Sequence, residues 1–257
     1  MLNRRFLNIA HRGGGRLAPE ETLVAYHNAV VLGADMLEMD LHATLDGVVV
    51  LNHDDTVDRT TNGTGRIQDM PFDEIRALDA GFAFSPDGGS THPFRGKGVT
   101  IATFREVMQE FPDMFFSVEI KQEKPSIVDA VLSVLDETSM SDHVILVSFH
   151  DEIVQEIRER RPDIVTGAGA VEMAEFYLNS TTEAGGYTPP CPFFQLPNVD
   201  PVLMKAAHAL GVKVQVWTIN DEQEMRTLLK MNVDGIMTDD PGLLAKVIDG
   251  RRASAFR

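Results

Sequence analysis

Eight times along this chain a short apolar run precedes a longer segment whose apolar residues recur at helical spacing, and this alternation constrains the fold more than any other feature. The runs cover residues 7–10, 36–43, 114–120, 144–149, 164–167, 193–196, 212–219 and 235–238. The helical segments cover 20–32, 103–111, 127–135, 153–160, 171–177, 201–210, 222–229 and 243–248. Continuous apolar runs of this length suit strands buried on both faces, and the segments between them suit the crossovers that parallel strands require. Eight such units predict a closed (β/α)8 TIM barrel, with an open doubly wound sheet as the alternative. A barrel of this kind takes about 250 residues, so the 257 residues here predict one domain spanning 1–257. Three helix starts read as capped: Asp151 before Ile153, Asp200 before Pro201, and Asp221 with Glu224 three residues on.

One segment breaks the rhythm. Residues 55–98, an insertion after the second strand, are rich in Gly, Pro, Asp and Thr. A loop that long carries structure or function of its own. The loops that follow barrel strands line the active-site face, so the insertion is expected to cap one side of a site there.

The informative polar residues stand at strand ends. His11 and Arg12 close the first strand and run into three glycines, which permit tight turns and close approach of a ligand. Glu38 and Asp40 alternate with Leu37, Met39 and Leu41 in the second strand, so both carboxylates share a face. If that face is the barrel interior, the two anions repel unless a cation joins them, and a divalent ion with oxygen ligands is the natural solution. The alternative is that the acids point outward, where they would meet an apolar helix layer. His53-Asp54 ends a run that follows the turn Asp46-Gly47, which brings a second histidine back beside the second strand. Glu119 and Lys121 repeat the two-residue spacing in the third strand, either as a third ligand with a phosphate-binding cation or as a buried structural pair. Trp217 ends the seventh strand, as a substrate wall or as a core residue, and Asp239-Asp240 ends the eighth. Two imidazoles, three carboxylates, an arginine and a lysine at one barrel mouth suit phosphoryl chemistry: cations stabilise the charge of the transition state, and imidazoles handle protons.

Charge narrows the partners. The net charge is −16, from 23 basic and 39 acidic side chains, which argues against a nucleic-acid binder and against adsorption to an anionic membrane. No apolar run approaches membrane-spanning length, so no stable membrane insertion is expected. The start of the chain, charged at Arg4 and Arg5, lacks a secretory apolar stretch, and Cys191 is the sole cysteine, which forbids an intramolecular disulfide. These features predict a soluble, cytoplasmic protein acting on a small molecule; a homo-oligomer is compatible with them.

In order, His11-Arg12-Gly13, Pro19-Glu20-Glu21-Thr22, Glu38-Met39-Asp40-Leu41, Thr44-Leu45-Asp46-Gly47, His53-Asp54 and Arg59-Thr60-Thr61 resemble the glycerophosphodiester phosphodiesterase family. So do Glu119-Ile120-Lys121, Trp217-Thr218-Ile219-Asn220 and the run from Asp234 to Pro241, and the likeness covers nearly the whole chain. The resemblance implies a (β/α)8 barrel that uses Mg²⁺ or Ca²⁺ to hydrolyse glycerophosphodiesters to an alcohol and glycerol 3-phosphate. Carried over by position, it makes Glu38, Asp40 and Glu119 metal ligands. It makes His11 and His53 the general acid and base, and it puts Arg12 and Lys121 on the phosphate. Glu20 would orient Arg12 or approach the metal. The chain departs from the family at Glu21, usually Asn, and at Ala102, commonly Pro. Two other functions use the same residues: action on lysophospholipids or other phosphodiesters, and a non-catalytic barrel that binds phosphodiesters. The first needs a long apolar groove, of which the insertion gives little sign; the second usually goes with a lost acid, base or ligand, and none is lost here.

Overall fold

The structure, a computed structural model, describes residues 6–180 and 187–255. Arg4 and Arg5 lie outside the described residues. Strands β1 (Leu7–Ala10), β2 (Met36–Ala43), β4 (Phe115–Ile120), β5 (Val144–Val147), β6 (Phe193–Leu196), β7 (Lys213–Val216) and β8 (Gly235–Thr238) form a parallel sheet in the order β5-β4-β2-β1-β8-β7-β6. The short β3 (Val49–Leu51) folds back antiparallel on β2. Residues 164–167, expected as a strand, close the barrel through single parallel bridges instead: Thr166 pairs with Leu146 of β5, and Gly167 with Phe193 of β6. Only glycine fits there, since a Cβ at position 167 would lie 2.6 Å from Val147 Cγ1. The result is the expected eight-stave α/β barrel, with one stave reduced to two pairings.

Helices α1 (Leu23–Val31), α3 (Phe104–Glu110), α4 (Val128–Thr138), α5 (Asp151–Arg160), α6 (Ala170–Ser180), α7 (Pro201–Ala209), α8 (Glu222–Lys230) and α9 (Pro241–Ala255) connect the staves. Outward strand residues such as Leu37, Met39, Leu41, Phe116 and Val118 are buried with apolar residues of α1, α3 and α4. Inward residues Leu7, Ile9, Met36, Ile145, Phe193 and Met237 fill the barrel interior as a separate cluster. Above this apolar floor lies a polar layer in which Gln195 Nε2 donates to Ser117 Oγ (2.8 Å) and to Gln215 Oε1 (2.9 Å).

Three helix starts differ from expectation by two residues or more, and one of them is α9, which begins at Pro241 rather than at residue 243. Helix α1 begins at Leu23 rather than at residue 20, because Thr22 is its cap and accepts a hydrogen bond from Ala25 N–H. This leaves Glu20 and Glu21 in the loop. Asp151 does not cap α5; its carboxylate accepts the N–H of Val171 and so ties α5 to α6. Asp200 and Asp221 cap as expected, accepting from Leu203 and Glu224 N–H.

The insertion has its own small core, in which Val50, Val57, Ile67, Ile75, Ala80, Val99 and Ile101 are buried together around the short helix α2 (Phe72–Arg76). No helix among the described residues is long and apolar enough to cross a membrane.

Candidate active site

Strand register builds the acidic centre. Along β2, Met36, Glu38 and Asp40 point to the same side, and Met36 belongs to the interior cluster, so both acids face into the barrel rather than toward the helices. The β2–β4 pairing sets Glu38 beside Ser117 and Asp40 beside Glu119. Carboxylate oxygens of Glu38, Asp40 and Glu119 consequently lie within 4.8 Å of one another. Two cations bracket Asp40. Arg12 Nε stands 3.2 Å from its Oδ2, and Lys121 Nζ stands 3.4 Å from its Oδ1 and 3.0 Å from Glu119 Oε1. Burial followed by repulsion from Asp40 pushes the Glu38 carboxyl up to about 8 and that of Glu119 to about 7.

Arg12 reaches Asp40 because of the backbone beneath it. Its φ of 50° is left-handed, and its N–H donates to Glu38 Oε2 at 2.9 Å. The following Gly13, at φ 79°, packs where a Cβ would stand 2.8 Å from Ala25 Cβ. A Gly13→Ala variant is therefore expected to lose about 1–3 kcal/mol of stability, combining backbone strain with overlap against α1. Chemical denaturation checks this, and an unchanged midpoint would show that the turn relaxes freely.

Each histidine leans on a carboxylate. His11 Nδ1 donates to Asp239 Oδ1 at 2.6 Å, and Asn220 Nδ2 donates to the other oxygen of Asp239 at 2.7 Å. Burial works against a charge on His11, but the Asp239 hydrogen bond and the field of Glu38 outweigh it and raise its pKa. His53 Nδ1 donates to Asp54 Oδ1 at 2.7 Å; there burial outweighs the hydrogen bond, and the pKa falls. With Nδ1 committed, both rings have Nε2 left for a ligand, and both line one cleft with Arg12, Glu38, Asp40, Glu119, Lys121 and Trp217.

Every candidate residue from the sequence therefore stands at a single mouth. The cleft is also lined by Phe149, Met173 and Trp217, with the Phe149 and Trp217 rings edge to face at 5.9 Å. None of residues 55–98 lines this cleft, so the insertion flanks it and does not cap it. Asp239 stood out in the sequence as a polar strand end, but its pairing with His11 did not. The orienting role of Asn220 and the place of Gln195 depend on contacts between separate staves, which residue spacing does not carry, whereas Asp54 acts on its own neighbour. An aspartate immediately after a histidine, as at His53-Asp54, was the available hint.

Glu21, where the resemblance leads one to expect Asn, is 3% exposed and is not among the residues that line the cleft. Its two oxygens accept from Asp40 N–H (3.0 Å) and from Tyr26 O–H (2.6 Å). Burial, then the charges of Asp40 and Glu38, push its pKa well up.

The acidic centre suits a hard divalent cation. Its donors are carboxylate oxygens from adjacent strands, their mutual repulsion is only partly offset by Arg12 and Lys121, and buried Asp40 Oδ2 meets Arg12 Nε at 3.2 Å without hydrogen-bond geometry.

Barrel and cluster together define an α/β-barrel enzyme whose polar centre lies at the C-terminal ends of its strands. A sequence model of the glycerophosphoryl diester phosphodiesterase family matches residues 11–243. The chain belongs to that family, a family of phosphoric diester hydrolases. It is 34% identical to a glycerophosphodiester phosphodiesterase of Caldanaerobacter subterraneus subsp. tengcongensis, covering 94% of this chain and 97% of that one. Among solved structures, a glycerophosphodiester phosphodiesterase from Agrobacterium tumefaciens is 27% identical with a TM-score of 0.78, covering 93% of this chain and 98% of that one. An Oleispira antarctica phosphodiesterase, solved in complex with sn-glycerol-3-phosphate, is 27% identical with a TM-score of 0.76, covering 94% and 96%.

Proposed function

We propose that this protein is a metal-dependent glycerophosphodiester phosphodiesterase, one barrel domain that cleaves its substrate to an alcohol and glycerol 3-phosphate. The observation that carries the proposal is the grouping of Glu38, Asp40 and Glu119 in one cleft with His11 and His53, each imidazole backed by its own carboxylate. The Oleispira relative with bound sn-glycerol-3-phosphate supports the product side of this reading. The cytoplasmic setting remains part of the proposal and rests on the lone buried cysteine, Cys191.

The three carboxylates would hold Mg²⁺ or Ca²⁺, which supplies Lewis-acid stabilisation of negative charge on the phosphoryl oxygens. The protein's own groups do the rest. Arg12 and Lys121 bind the phosphodiester and orient it. One imidazole takes the proton from the attacking oxygen, either water or the adjacent glycerol hydroxyl, while the other donates a proton to the departing alcohol. Attack by that hydroxyl gives a cyclic phosphate first, which water then opens. Trp217 and Phe149 exclude water from one side of the scissile group.

Turnover of a panel of glycerophosphodiesters, with metal stripped by EDTA and then restored, tests the proposal. Release of glycerol 3-phosphate should vanish on stripping and return with Mg²⁺ or Ca²⁺. Absence of activity on every head group with either ion present would instead favour a barrel that only binds phosphodiesters.

A further inference from the structure

One side chain of the insertion, Arg59, bonds both carboxylates that back His53 and Arg12. Arg59 donates from Nε to Asp54 Oδ2 (2.6 Å), from Nη1 to Glu20 Oε2 (2.8 Å) and from Nη2 to Glu20 Oε1 (2.7 Å). Asp54 in turn holds His53 Nδ1, and Glu20 Oε1 accepts from Arg12 Nη1 at 3.1 Å. The contacts run unbroken from one imidazole, through two carboxylates and a guanidinium, to the arginine beside Asp40.

We propose that Arg59 is a positioning residue which holds His53 through Asp54 and Arg12 through Glu20, so that the insertion sets the geometry of both. The inference rests on the function proposed above. All three guanidinium nitrogens donate to carboxylates, and Arg59 is not among the residues that line the cleft, so its contacts are with the groups that orient His53 and Arg12. Stability is not its main contribution either: its side chain is 46% exposed, and ion pairs in such settings add little. What a guanidinium supplies here is shape. Its planar fork grips both oxygens of Glu20 while a third N–H fixes Asp54, and one ammonium cannot do both. Without it, Asp54 and Glu20 face each other as unbridged anions, and each is free to rotate away from the group it orients. A misplacement of about 1 Å at a reacting group costs up to about 10²-fold in rate.

Steady-state kinetics of Arg59→Lys and Arg59→Ala, alone and combined with Asp54→Asn, test the claim with a glycerophosphodiester as substrate. Both single variants should unfold within a few degrees of the parent. Turnover should fall about tenfold or more as His53 loses its hold, KM should rise as Arg12 shifts from the phosphate, and lysine should rescue little of either. Arg59→Ala with Asp54→Asn together should lose less than the product of the two single losses, since the two changes share the His53 branch. Nitrogen NMR of the His53 ring gives a reading independent of turnover: the parent should show Nδ1 protonated, and Arg59→Ala a mixture of tautomers. A rise in KM alone, losses that multiply in the double variant, or a ring unaffected by Arg59→Ala would each overturn the proposal. If the parent hydrolyses no glycerophosphodiester at all, the functional reading fails, whereas the tautomer measurement still decides the role of Arg59.

Discussion

Alanine at His11 or at His53 is expected to lower turnover by about 10²–10⁴-fold while leaving the fold intact, the range that a lost general acid or base accounts for. Neither ring belongs to an apolar core cluster, and each lines the cleft, so removal should leave packing undisturbed. The surroundings of the two rings divide the work between them. Asp239 and Glu38 favour the protonated form of His11, which suits it to donate to the departing alcohol; burial favours neutral His53, which suits it to accept from the nucleophile. A substrate with a good leaving group separates the roles. With a nitrophenolate in place of an aliphatic alcohol, little proton donation is needed, so His11→Ala should recover most of its rate and His53→Ala should not. Near-parental turnover in both variants on the natural class of substrate would remove the histidines from the mechanism. Equal recovery by both would withdraw the assignment of the leaving-group proton to His11.

Much of this is legible in the sequence because the relevant patterns are local. The two-residue spacing in Glu38-Met39-Asp40 and Glu119-Ile120-Lys121 decides which side chains share a face, and the apolar residues between them can only face the helices. Strand ends located His11 and the turn at Asp46-Gly47 located His53, since the antiparallel return of β3 beside β2 follows from that turn. What escaped the sequence was long-range or conformational. Asp239 meets His11 across 228 positions, and Arg59 meets Glu20 across 39, distances over which no periodicity reports. Glu20 and Glu21 read as the first turn of a helix, but Thr22 takes the cap and Glu21 adopts a φ of 60°, which aims its carboxylate at Asp40 N–H. The stave at 164–167 was visible as an apolar run, yet its reduction to two bridges reflects how closely Gly167 approaches Val147. For Asp239, Arg59 and the stave at 164–167 the missing information was which distant element packs alongside; for Glu20 and Glu21 it was the cap at Thr22 and a left-handed φ.

Replacing Glu38 by Gln should abolish turnover and at the same time make the metal-free protein more stable at alkaline pH. Glu38 is 4% exposed, accepts from Arg12 N–H, and shares its cleft with two further carboxylates. Burial and the Asp40 charge lift its pKa from 4.5 to about 8. A carboxyl whose folded pKa lies above its unfolded value contributes its stability in full below the unfolded value and loses it as pH climbs through the folded value. The metal-free parent should therefore weaken between about pH 4.5 and pH 8 in EDTA, with a falling melting temperature across that window. A divalent cation offsets the same repulsion. At about 100 times its dissociation constant it should add about 2.7 kcal/mol, with the largest gain in melting temperature at the alkaline end. In Glu38→Gln the amide keeps the bond from Arg12 N–H, removes one negative charge and takes away one candidate ligand. The variant's melting temperature should accordingly depend less on pH, exceed that of the metal-free parent near pH 8, and respond little to added Mg²⁺ or Ca²⁺. Stability gained where activity is lost would mark these carboxylates as kept for the cation at a cost to the fold. Identical pH profiles for parent and variant in EDTA, or an undiminished response of the variant to metal, would refute the assignment of Glu38 to the metal centre.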